Sequence, residues 1–73
     1  MVTEVYFEHI TETNHYRQCH KKEVPFGVVV SVVHTGKRKV YKNNIIAFKT
    51  DSYYVLGAIE NLALKIINAK RIK

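Results

Sequence analysis

The chain has 73 residues, a net charge of +6 and an apolar fraction of 47%, which describes one small basic domain, too short for a second and too apolar for a disordered tail. Cys19 is its single cysteine, so an intramolecular disulfide is excluded and a reducing cytoplasmic or nuclear setting is expected. The valine-rich run of residues 28–33 is broken by Ser31 and falls far short of the roughly 20 residues that span a bilayer, so a soluble chain with no membrane partner and no secretory signal is expected.

Residues 2–10 (VTEVYFEHI) alternate and are rich in β-branched and aromatic side chains, which predicts a first strand. Residues 11–24 have neither period, are polar and end at Pro25, and read as a long loop. Residues 26–34 (FGVVVSVVH) hold five valines and predict a second strand, because β-branched residues suit a pleated surface. Thr35 and Gly36 then turn the chain. Residues 37–42 and 45–50 read as extended segments on either side of Asn43 and Asn44, which tolerate left-handed backbone and suit a turn or bulge. Residues 52–69, with Asp51 or Ser52 as N-cap, place Val55, Ile59, Leu62, Ala63 and Ile66 on one helical face, which predicts an amphipathic helix. The expected fold is α+β, an antiparallel meander of three or four strands followed by one C-terminal helix on one sheet face.

In the expected second strand Phe26, Val28, Val30 and Val32 share one face, yet Val29 and Val33 make the other face apolar too. A sheet with one wet face alternates more cleanly, so Val29 and Val33 are candidates for a homodimer or partner interface.

Charge is distributed unevenly. Residues 1–36 carry three cations against four acids, a net of −1, whereas residues 37–73 carry nine against two, a net of +7. If the C-terminal element returns across the sheet, Lys37, Arg38, Lys39 and Lys42 meet Lys70, Arg71 and Lys73, the electrostatic footprint of a phosphate-backbone binder. Arg17, His20, Lys21 and Lys22 form a second basic pole in the expected loop. The five tyrosines that interleave with these charges offer stacking surfaces for bases. His15, Cys19 and His20 stand close together, but a structural zinc site wants four ligands in paired spacings, so no metal and no cofactor is expected. No orienting element supports Cys19 as a nucleophile, and no catalytic residue is expected.

From Tyr6 onward the order resembles the double-stranded RNA-binding domain. Residues 6–14 are similar to its first strand, His20, Lys21 and Lys22 to its His-containing loop, Phe26-x-Val28-x-Val30-x-Val32 to its second strand, and GAIENLALKII to its final helix. The family's first helix and its K-K-x-A-K cluster have no counterpart. The runs VYFE, FGVVVSV and TGKRKVYK are also similar to the opening of ribonuclease H, in which acids hold divalent metal. Only Glu8 matches such a position, so that likeness implies architecture alone. Together these readings predict a non-catalytic nucleic-acid-binding module, duplex favoured. The alternative is a small interaction protein of viral or host-takeover type that dimerises, or grips an acidic partner, through its valine-rich sheet.

Overall fold

The computed structural model describes residues 7–73, in the order β1(His9–Glu12), α1(Asn14–Cys19), α2(Phe26–Thr35), β2(Lys37–Val40), β3(Ile45–Lys49), β4(Tyr53–Glu60) and β5(Ala63–Arg71). The five strands form one mixed sheet in the order β1-β5-β4-β3-β2. Strands β2 to β5 run antiparallel to their neighbours, and β1 lies parallel to β5 at the far edge. Helix α1 packs on β5 and α2 on β3 and β4, and one core joins Tyr16 of α1 and Val29 of α2 to Ile46, Phe48, Val55, Leu64 and Ile66 of the sheet. The helices therefore cover one sheet face, and they form the crossover between its two edge strands. This overturns the expected antiparallel meander with a C-terminal helix.

The expected second strand is α2. As a strand its valines divide between two faces, whereas as a helix Val29, Val32 and Val33 fall on one side, where all three are buried. The i, i+4 relation of Val29 and Val33 was the signal that marked this segment as helical. Pro25 opens it with φ −60°, and the Pro25 carbonyl accepts hydrogen bonds from Val28 and Val29 at 2.9 and 3.1 Å. β-Branching costs a helix at most about 0.7 kcal/mol per residue, against about 1.5–3 kcal/mol for burying each such side chain, so burial decides. Val29 and Val33 are 0% and 5% exposed against their own sheet. They are closed to a partner, and the two-faced valine strand on which a dimer was expected does not exist.

The expected C-terminal helix is the β4–β5 hairpin. Val55 and Ile66 of the expected helical face also fit a period of two, in which Val55 and Gly57 on β4 and Leu64 and Ile66 on β5 are all buried, although Gly57 and Leu64 lie off that helical face. The β-branched and aromatic content of residues 53–67 favours strands, and Gly57 inside a helix would cost about 1 kcal/mol relative to alanine. Asn61 and Leu62, at φ 52° and 64°, form the left-handed pair that tight hairpins need. Leu56 pairs with Asn68 and Gly57 with Ile66, so Ile67 is the extra residue of a β-bulge. The bulge moves the inward phase along by one and puts Ala69 in the core instead of Asn68.

The expected loop of residues 11–24 contains the end of β1 and all of α1. Thr13 caps α1: its hydroxyl donates to the Ile66 carbonyl at 2.7 Å and accepts from the Tyr16 N–H at 3.2 Å. Residues 2–6 of the expected first strand lie outside the described residues, and of its residues 7–10 only 9 and 10 are in a strand, as the start of β1. Residues 37–50 are two strands. Asn43 and Asn44 both sit at φ 61° in a turn closed by the Ile45 N–H donating to the Lys42 carbonyl at 3.3 Å, as their tolerance of left-handed backbone predicts.

Candidate nucleic-acid interface

Side chains alternate across a sheet. With Ile46, Phe48, Val55 and Ala69 turned toward the helices, their neighbours Lys37, Lys39, Ala47, Lys49, Tyr54 and Lys70 turn to the opposite face. No described helix covers that face, and these six side chains line a single open hollow of about 520 Å³. Register builds it. Lys37 is the cross-strand partner of Lys49, Lys49 of Tyr54, and Tyr54 of Lys70, so one row crosses β2, β3, β4 and β5. Adjacent strands lie about 4.8 Å apart, which makes that row about 14 Å long.

Ala47, 4% exposed, gives the hollow a small, low floor. Tyr41 and Ile72 stand at its margin. Two lysines lie over aromatic rings, with Lys39 Nζ 5.4 Å from the Tyr41 centroid and Lys70 Nζ 5.6 Å from that of Tyr54. No acid lines the hollow, and among the described residues no ion pair involves Lys37, Lys39, Lys49 or Lys70. Like charges placed directly opposite across a sheet, as Lys37 and Lys49 are, cost stability, and a bound polyanion would repay it.

The other basic residues singled out from the sequence are placed differently. Arg38 borders the hollow, but its guanidinium lies over Phe48 and Phe7, at 5.7 and 6.0 Å, toward the helix side. Lys42 sits in the Asn43–Asn44 turn, and Lys73 is exposed at the end of the described chain. Arg71 Nε donates to the Lys73 carbonyl at 2.6 Å. In the second pole, Glu12 binds Arg17 Nε at 3.1 Å and Lys21 Nζ at 2.9 Å. The Lys21 hydrogen bond, joined by Arg17, holds the Glu12 carboxyl below the usual range. Lys22 is exposed, and His20 Nε2 lies 3.2 Å from His15 Nε2. Glu12 thus ties two of this pole's cations into ion pairs, whereas among the described residues the hollow's four lysines form none.

Comparison with protein-family models, curated proteins and solved structures finds no match. The residues that resembled the double-stranded RNA-binding domain take other forms here: its second-strand likeness falls on α2 and its final-helix likeness on the β4–β5 hairpin.

Sequence reasoning brought Lys37, Lys39 and Lys70 together by assuming a returning helix, and the structure does so through three strand pairings. It offered Tyr54 for stacking only as one of five tyrosines, and it missed Lys49 and Ala47. Alternation along IIAFK and YYVLG was the signal that could have found them. Among the described residues no group of three or more His, Cys, Asp or Glu converges, and no helix is long and apolar enough to cross a membrane.

Proposed function

We propose that the chain is a non-catalytic nucleic-acid-binding module that lays a sugar-phosphate backbone across the sheet face opposite α1 and α2. The supporting observation is the cross-strand row Lys37–Lys49–Tyr54–Lys70, in which cations that form no ion pair among the described residues flank an aromatic ring. Phosphates take the lysines, and Tyr54 and Tyr41 offer stacking surfaces that are tolerant of base identity. A concave floor at Ala47 admits a splayed base more readily than the convex side of a duplex, so an unpaired strand is the favoured form. Binding is sequence-independent.

The test is fluorescence anisotropy with labelled single-stranded RNA and DNA and the matching duplexes, across a salt series, using the native chain and Lys37→Gln/Lys49→Gln/Lys70→Gln. Engagement of three or four phosphates on a single strand gives a log–log salt slope of about −2 to −3, and the triple variant removes most of it. Salt-independent affinity, or a triple variant that binds as the native chain does, overturns the proposal. Tighter binding to duplex keeps the face and reverses the preference.

A further inference from the structure

We propose that His15 and His20 form a two-imidazole site for a borderline divalent transition-metal ion such as Zn²⁺ or Ni²⁺. Their Nε2 atoms lie 3.2 Å apart, with ring centroids at 5.0 Å and an interplanar angle of 61°. Imidazole nitrogens bind zinc at about 2.0–2.1 Å. Two such bonds closing on a 3.2 Å separation subtend about 100° at the metal, between the cis angle of an octahedron and the tetrahedral angle. The two ring nitrogens that face each other at this distance can share a cation.

Local structure holds the pair in place. His15 lies in the first turn of α1 and His20 is its C-cap, with the His20 N–H donating to the Tyr16 carbonyl. Between them Tyr16 is fully buried, and its hydroxyl is tied to the Val24 carbonyl at 2.6 Å. This anchor limits how far either ring base can move, so much of the ordering entropy of a chelate is lost on folding rather than on binding. Nearby, Glu12 pairs with both Arg17 and Lys21, so its one negative charge offsets part of the repulsion an approaching cation meets. No third His, Cys, Asp or Glu joins the pair among the described residues, so water completes the coordination and the ion stays exchangeable. Helix α1 packs on β5 from the helix-covered side of the sheet, so the site is independent of the basic hollow on the other side.

The experiment is calorimetric titration of the folded chain with ZnCl₂ and with NiCl₂ at neutral pH, alongside His15→Ala, His20→Ala, the His9→Ala/His34→Ala pair and Cys19→Ser, each checked for native circular dichroism. The native chain is expected to bind one ion. Each single loss of His15 or His20 weakens binding at least roughly a hundredfold, because the second contact is no longer intramolecular. The His9/His34 and Cys19 variants bind as the native chain does. Affinity falls as the solution is acidified, since the ion must displace protons. No one-to-one binding by the native chain, unchanged binding by His15→Ala or His20→Ala, or loss of binding in Cys19→Ser overturns the proposal.

Discussion

The Tyr16 hydroxyl donates a buried 2.6 Å hydrogen bond to the Val24 carbonyl, pinning the end of the α1–α2 connection to the middle of α1. Tyr16→Phe keeps the ring but leaves that carbonyl without its donor, which costs about 1–3 kcal/mol. Denaturant unfolding of the two proteins measures the difference. Burial, and then the nearby Glu12 charge, raises the Tyr16 hydroxyl above its ordinary value of 10.0. The phenol stays protonated longer when folded than when unfolded, so its contribution is complete below pH 10 and is lost as pH rises past that value. The alkaline loss seen in the native chain is expected to be smaller in Tyr16→Phe.

Gly36 links α2 to β2 where a side chain has no room. A Cβ there would lie 2.7 Å from the Val32 carbonyl oxygen and 3.0 Å from that of Lys49, and both are backbone atoms that cannot turn aside. Gly36→Ala is expected to destabilise by about 1–3 kcal/mol through the forced shift. Gly27→Ala, where a Cβ meets nothing within 4 Å, is the control and is expected to stabilise α2 slightly.

Leu62 carries the opposite sign. It holds φ 64° in the β4–β5 turn while its side chain is 47% exposed, so it bears a left-handed cost of about 1–2 kcal/mol with little burial in return. Leu62→Gly is expected to raise the melting temperature, with a gain of about 0.5–1 kcal/mol after the added freedom of the unfolded chain is counted.

Lys49 separates stability from binding. It faces Lys37 across β2–β3 and Tyr54 across β3–β4. Lys49→Thr removes a like-charge pair and adds a strand former, stabilising by about 0.2–1 kcal/mol, while it weakens binding to single-stranded RNA. Parallel thermal melts and anisotropy titrations are expected to move in opposite directions.

The Glu12 carboxyl is held low by Lys21 first and by Arg17 as well. A lowered folded-state value contributes stability that is present above the ordinary value of 4.5 and is lost as pH falls through the lowered one. Glu12→Gln is expected to flatten the acid limb of a stability-against-pH curve, measured at low salt where exposed pairs are least screened.

How much of the fold could be read in advance depended on whether one period dominated. The Asn43–Asn44 turn and its flanking strands were legible because the backbone tolerance of asparagine is a local property. The C-terminal residues were not, since Val55, Ile59 and Ile66 share a helical face while Val55 with Ile59, and Leu64 with Ile66, also keep strand alternation, and pairing partners on β3 and β1 decide between them. The valine run misled for the converse reason: intrinsic preference pointed to a strand, and tertiary burial of Val29, Val32 and Val33 overrode it. Charge asymmetry did locate three of the hollow's four facing lysines, because β2 and the end of β5 both belong to the basic half of the chain. Lys49 escaped because only register reveals its place in the row.

The parallel pairing of β1 with β5 joins Ile10 to Leu64, whereas each of β2 to β5 meets its next neighbour across a short turn. Contacts between distant parts of a chain form late, because the loop between them must close first. The β2–β5 ribbon can therefore zip up before β1 has anything to join. On the ribosome the delay is built in: β1 emerges ahead of β5, whose edge receives it, and waits for that partner until β5 has cleared the exit tunnel.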